Sequence, residues 1–133
     1  MSIDYVKVSD VMAPTVLTID GTATIKEAVE TMRQTGVRSL VVSRRDASDE
    51  YGLLLISDIA RRVMAQDRAA ERVTVYEVMI KPALTLPADM NVKYAARMLV
   101  RFDIDRALVL NSAREPVGII TVRDMVLSFY GQS

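Results

Sequence analysis

The sequence predicts an α+β fold built from two copies of one β-α-β-β-α unit, and three observations carry that prediction. The chain matches itself when Val8 is set beside Val75, an offset of 67 residues. Each copy holds an apolar stripe at helical spacing, preceded by a short extended piece and followed by two β-rich runs. The chain has 133 residues, enough for one substantial core but not for two independent cores of ordinary size.

The self-match is ordered. "VSDVMAPTVLTI" lies on "VYEVMIKPALTL", so that Val11 meets Val78, Met12 meets Met79, Leu17 meets Leu84 and Thr18 meets Thr85. Farther on, Lys26 meets Lys93, Ala28 meets Ala95 and Val42 meets Val109. After a one-residue contraction, Gly52 meets Gly118 and Asp58 meets Asp124. The repeats are therefore expected over 8–66 and 75–130, joined by a charged connector over 67–74. A unit of about 60 residues has a marginal core, so the copies are expected to pack as one module in a pseudo-twofold pair.

The elements follow in chain order. Extended pieces are expected at Val16 to Ile19 and at Ala83 to Leu86. In the first copy Ile25, Ala28, Val29 and Met32 form a helical stripe, "TIKE" from Thr24 supplies a capping box, and Gly36 ends the helix. In the second copy Asn91 caps a helix whose stripe is Val92, Ala95, Ala96 and Leu99. "VRSLVVS" from Val37 and "IDRALVL" from Ile104 read as strands. Each is joined by a polar loop to a further apolar strand led by Gly52 or Gly118, and the loop composition predicts antiparallel hairpins. A closing helix follows in each copy. The first is expected to start near Ser57, with Ser57 as its cap, and to run through "DIARRVMAQDRAAER". The last, "DMVLSFY" from Asp124, carries Met125, Val126, Leu127, Phe129 and Tyr130 around more than half its circumference. One core cannot cover all of these, which predicts either a dimer contact or burial beneath the N-terminal segment.

Composition narrows the function. The chain has no cysteine and no histidine, which excludes disulfides, thiolate metal sites and the commonest general base and zinc ligand. No catalytic residue and no metal ligand set is expected, and no paired carboxylates suggest acid and base roles. Lysine plus arginine and aspartate plus glutamate number 17 each, so no net field draws the chain to nucleic acid or to an anionic membrane. Arginine outnumbers lysine by 13 to 4, a bias that suits phosphate contacts and equally reflects an ordinary soluble surface. Apolar runs are far shorter than a bilayer span, and "MSIDYVKVSD" does not read as a secretory signal, so a cytoplasmic location is expected.

The turn "GIITVRDM" raises the functional question. Thr121 and Asp124 fit an S/T-x-x-acid helix cap, and they equally place a hydroxyl and a carboxylate at a helix N-terminus. In the first copy, "GLLLISDI" keeps the glycine and Asp58 but puts Leu55 where the hydroxyl stands.

The ordered set "DVMAPTVLTI", "EVMIKPALTL", "VRSLVVS", "IDRALVL" and the two glycine-led turns resembles the tandem CBS-domain pair, named after cystathionine β-synthase and often called a Bateman module. The resemblance runs from Val8 to about Tyr130 and implies two repeats packed through their sheets. It also implies two clefts that bind adenosine compounds such as AMP, ATP or S-adenosylmethionine, in a regulatory role with no cofactor required. By resemblance, Thr121 and Asp124 hold a ribose and Arg123 favours phosphate. Thr15, Val16, Leu17, Val37 and Arg38 face that corner, and Arg106 contacts phosphate. Core packing accounts equally for Val16, Leu17 and Val37, and surface ion pairs for Arg38 and Arg106.

The second cleft would use Asp58, Ala83, Leu84, Ile104 and Asp105. Leu55 cannot bond a sugar there, and Asp105 would repel a phosphate, so one competent site and one weak or empty site are expected. The expected function is an adenosine-ligand sensor that alters its dimer geometry or its affinity for an unidentified effector protein. The alternative is a ligand-independent scaffold for dimerisation or partner binding.

Overall fold

The structure is a computed structural model, and it describes residues 5–131. The first four residues of the segment read for a secretory signal lie outside that range. The described chain forms two compact units. A central unit takes residues 17–83, and a terminal unit combines 5–16 with 84–131. The units thus exchange their leading segments relative to the repeats. The residues before the first repeat's strands pack with the second repeat's sheet, and those opening the second repeat pack with the first.

The central unit contains β1 (Thr18–Ile19), α1 (Ile25–Thr35), β2 (Ser39–Val42), β3 (Gly52–Leu55) and α2 (Ile56–Ile59). Its sheet has the order β1-β2-β3. β1 runs parallel to β2 because α1 carries the chain back across the sheet, while the short polar loop makes β2 and β3 antiparallel. The capping box of α1 forms as expected: Thr24 Oγ1 accepts from Glu27 N at 3.2 Å, and Glu27 Oε2 accepts from Thr24 N at 3.4 Å. Gly36 ends the helix in the left-handed conformation at φ 78°, its N–H donating to Met32 O. Ile25, Ala28 and Met32 join Leu40, Val42 and Leu54 in the core. Val29, expected on that stripe, is 41% exposed, because it lies on the edge of an apolar face only three residues wide.

The closing helix of this unit departs from expectation. It starts at Ile56, whose N–H donates to Arg38 O at 3.0 Å and so continues the hairpin ladder into the helix. Leu55 occupies the N-cap without a side-chain bond, and Ser57 sits exposed inside the first turn instead of capping it. The helix widens into a π turn over Ala60–Met64 and does not reach Arg72. Asp67 takes φ 57°, and only a separate 3₁₀ turn follows at Ala70–Arg72.

The terminal unit contains a short helix α3 (Val8–Val11), β4 (Thr85–Pro87), α4 (Val92–Arg101), β5 (Arg106–Leu110), β6 (Pro116–Thr121) and α5 (Val122–Tyr130). Its sheet repeats the central design, with β4 parallel to β5 and β5 antiparallel to β6. Asn91 caps α4 by accepting from Lys93 N at 2.9 Å. Val92, Ala95 and Leu99 are buried with Leu86, Ala107, Val109 and Ile120, while Ala96 is half-buried. The N-terminal segment supplies Val6 and Val8 to this core and bonds across it, with Val8 N donating to Met90 O and Val92 N to Val6 O, each at 2.8 Å. On α5, Met125 is buried and Phe129 packs against the core. Val126, Leu127 and Tyr130 remain 48%, 55% and 78% exposed, so the N-terminal segment does not cover the whole apolar surface of the helix.

Candidate functional site

The β6–α5 turn gathers four of the candidate residues in the terminal unit. Arg106 and Thr121 are direct partners across β5 and β6, so their side chains rise on one face of the sheet. Val122 N donates to Asp105 O at 2.8 Å, which carries the pairing to the first residue of α5. Thr121 takes the N-cap position, and its Oγ1 accepts from Asp124 N at 3.1 Å. The capping reading of Thr121 is therefore correct for the hydroxyl. It does not account for the carboxylate.

The comparison with α1 makes this plain. There the glutamate three residues after the cap reaches back and closes the box. In α5 Asp124 holds the equivalent position three residues after the cap, and the box does not close. Among the described residues, the Asp124 carboxylate makes no hydrogen bond or ion pair, although it is half-buried. It retains its full acceptor capacity at the positive end of a nine-residue helix. The Thr121 hydroxyl keeps its own proton to donate.

Two arginines stand on the turn and on the strand paired with it. Arg123 is exposed within the same turn. Arg106 has a side chain only 19% exposed, and its Nε is buried without a hydrogen bond. The Asp105 carboxylate lies 3.6 Å from that nitrogen, an ion pair beyond hydrogen-bond reach. The surface salt bridge considered for Arg106 therefore exists with its neighbour, and a buried guanidinium N–H is left over. Thr15 and Val16, also in this unit, follow the point where Ala13 pairs with Ile119 of β6. Thr15 is exposed and Val16 half-buried. Leu84 O accepts from Leu108 N at 2.9 Å, and Ile104 N donates to Leu99 O at 3.0 Å, so the backbones of both residues are engaged in the fold.

The corresponding corner of the central unit is built differently. Leu55 offers no acceptor at the N-cap. Asp58 is 7% exposed, and its Oδ1 accepts from Arg61 Nη1 at 2.8 Å, while Oδ2 is buried without a partner. One carboxylate oxygen is thus already committed within its own helix. Leu17 O accepts from Val41 N at 2.9 Å, Val37 packs against the core half-buried, and Arg38 is exposed. Ala83 is buried, its N–H donating to Tyr51 O at 2.9 Å. Among the described residues, no cluster of acidic, histidine or cysteine side chains could hold a metal ion, and no helix is long and apolar enough to cross a membrane.

Sequence reasoning missed the contact that explains the two glycines. Met12 lies over Gly118 and Met79 over Gly52, and a Cβ would meet the backbone carbonyl beside the methionine closely at Gly118 and less closely at Gly52. The signal was present in the repeat, which aligns Met12 with Met79 and Gly52 with Gly118.

Comparison with known proteins places this architecture. The family model described as CBS domain matches residues 8–65 and again 75–131. A hexameric CBS-CP12 protein from bloom-forming cyanobacteria is 33% identical, with a TM-score of 0.88 over 92% of this chain and 67% of that one. The CBS domain of a bacterial CNNM/CorC family Mg²⁺ transporter, solved in complex with ATP, shares the fold at 19% identity, with a TM-score of 0.78 over 98% of this chain and 92% of that one. An L-aspartate semialdehyde sulfurtransferase from Methanosarcina acetivorans is 32% identical over 86% of this chain and 22% of its own length. The chain spans less than two thirds of the length of the curated relatives it matches, 61% of one and 22% of another.

Proposed function

The chain belongs to the CBS-domain family and carries two copies of the domain, a regulatory module, and from that membership we propose that it senses an adenosine-containing ligand such as AMP, ATP or S-adenosylmethionine. The observation that carries the reading is the open carboxylate of Asp124 beside a capping Thr121 with a free hydroxyl proton. A cis-diol presents two donors, and an ionised carboxylate with no other partner accepts both. The positive N-terminal end of α5, together with the exposed Arg123 and the guanidinium of Arg106, suits the phosphate that follows the sugar. Support from the ATP complex of the transporter domain is support for the fold, which that protein shares at 19% identity.

The central corner is assigned the weaker role. Leu55 replaces the hydroxyl, and Asp58 is half committed to Arg61. The module accordingly takes one ligand per chain and is regulatory rather than catalytic. An adenine-nucleotide sensor belongs where that pool is, in the cytoplasm. Its output is a change in dimer geometry or in affinity for an effector protein, and the exposed Val126, Leu127 and Tyr130 of α5 provide the self-association surface. Calorimetric titration with AMP, ATP and S-adenosylmethionine tests the reading. Saturable binding of one of them is expected, and flat titrations with all three would leave the ligand-independent scaffold in its place.

A further inference from the structure

One contact recurs in both units. In the terminal unit, a Cβ added to Gly118 would collide with Met12 Sδ and stand 2.7 Å from Ala13 O. Gly118 does not take positive φ, so it is needed for close approach and not for an unusual backbone. Directly beside it, Ala13 N donates to Ile119 O at 2.9 Å, and Ile119 N returns a bond to Ala13 O at 3.0 Å. The central unit repeats the arrangement. A Cβ on Gly52 would stand 2.8 Å from Met79 Sδ and 3.3 Å from Ile80 O, with Leu53 and Ile80 exchanging both backbone bonds at 2.9 Å.

We infer that Met12 and Gly118 are a positioning pair for the ligand corner, pinning the Thr15–Val16 segment and the Thr121–Asp124 turn in one fixed relation. The inference rests on the ligand reading above. Met12 precedes Thr15 by three residues, and Gly118 precedes Thr121 by three, so a single contact holds the roots of both segments. Two backbone bonds fix the register at Ala13, and the absent side chain of Gly118 sets how closely the strap lies on β6. Lifting the strap displaces Thr15 and Val16 from the strand end that carries Thr121. The unbranched Met12 side chain fills the space that the glycine leaves. Gly52 with Met79 is the internal control, because its corner has Leu55 in place of the hydroxyl and an Asp58 tied to Arg61.

The test titrates AMP, ATP and S-adenosylmethionine into wild type, Gly118→Ala, Met12→Ala, Met12→Leu and Gly52→Ala, and records methyl spectra of protein labelled at the methionine methyl carbons. Gly118→Ala and Met12→Ala are expected to weaken binding by at least about tenfold. Met12→Leu, which conserves volume, should stay near wild type, and Gly52→Ala should bind as wild type does. The Met12 methyl resonance should shift on saturation and that of Met79 should not, a readout that a purely structural contact would not move. If Gly118→Ala does not fold, the two Met12 variants and the spectra decide. Folded Gly118→Ala or Met12→Ala with wild-type affinity, or a Met12 resonance unmoved at saturation, would overturn the inference and leave the ligand reading standing. Wild-type protein that binds none of the three compounds would overturn both.

Discussion

Replacing Asp124 by alanine separates the two roles that its turn could serve. Deleting a charged hydrogen-bond acceptor costs about 1.5 to 3 kcal/mol, or roughly 10-fold to 150-fold in affinity. The carboxylate is half-buried, so water competes for part of it, and the lower end applies, about 10-fold to 30-fold. Folding should suffer far less. The Thr121 cap bond runs to the backbone N–H of residue 124 and survives the substitution. Only the attraction of a carboxylate to the helix N-terminus is lost, about 0.3 to 1 kcal/mol or roughly 1 to 4 °C in the thermal midpoint. The assay is isothermal calorimetry with the best of the three adenosine compounds, paired with thermal unfolding of the free proteins. Thr121→Ser should keep both cap and affinity. An Asp124→Ala protein that binds as tightly as wild type would remove the carboxylate from the site and refute the reasoning.

Other outcomes follow from the same structure. Gly36→Ala should cost about 1 to 2 kcal/mol in denaturant unfolding, since nothing crowds the position and only its φ of 78° opposes a side chain. Leu99→Ala, at a fully buried position of α4, should cost about 2 to 5 kcal/mol by the same measurement. The Lys81 ammonium, 2.5 Å from Asp49, and next the Arg45 backbone N–H hold the Asp49 carboxyl well below its ordinary value of 3.8. A lowered folded pKa contributes stability that is complete above the unfolded value and is lost as pH falls below it. The thermal midpoint should therefore drop on acidification below pH 3.8, less steeply in Asp49→Asn. Some slope will remain, because hydrogen bonds from Thr22 and Ser48 also depress Asp20 and Asp46. If α5 is the proposed self-association surface, Leu127→Asp on its exposed face weakens dimer formation by at least about tenfold in sedimentation experiments, and a wild type that sediments as a monomer contradicts that proposal.

Most of the fold was legible because its determinants are local. The Thr24 box, the Gly36 stop and the Asn91 cap each depend on residues within one helical turn, and each forms as read. The hairpins were legible from loop composition. Capping was misread where backbone pairing decided the start. The Arg38 carbonyl draws the Ile56 N–H into the sheet ladder, and so α2 begins one residue before Ser57. The length of that helix was overestimated because an apolar and charged pattern suited to a helix does not reveal a π turn or the positive φ of Asp67.

The candidate corner was half legible. Spacing alone showed that Thr121 and Asp124 share a helix start, but not that the capping box would fail to close and leave the carboxylate open. Nor could it show that Asp58 is tied to Arg61 or that Arg106 buries an N–H, since both depend on side-chain reach. The Met12 to Gly118 contact joins residues more than a hundred positions apart. Only the fold brings it about.

The most direct test of the proposed function is native mass spectrometry of the protein incubated with AMP, ATP or S-adenosylmethionine. One bound adenosine compound per chain is the expected result, abolished or sharply reduced in Asp124→Ala. Two equally populated ligands per chain, or none with any of the three, would contradict it.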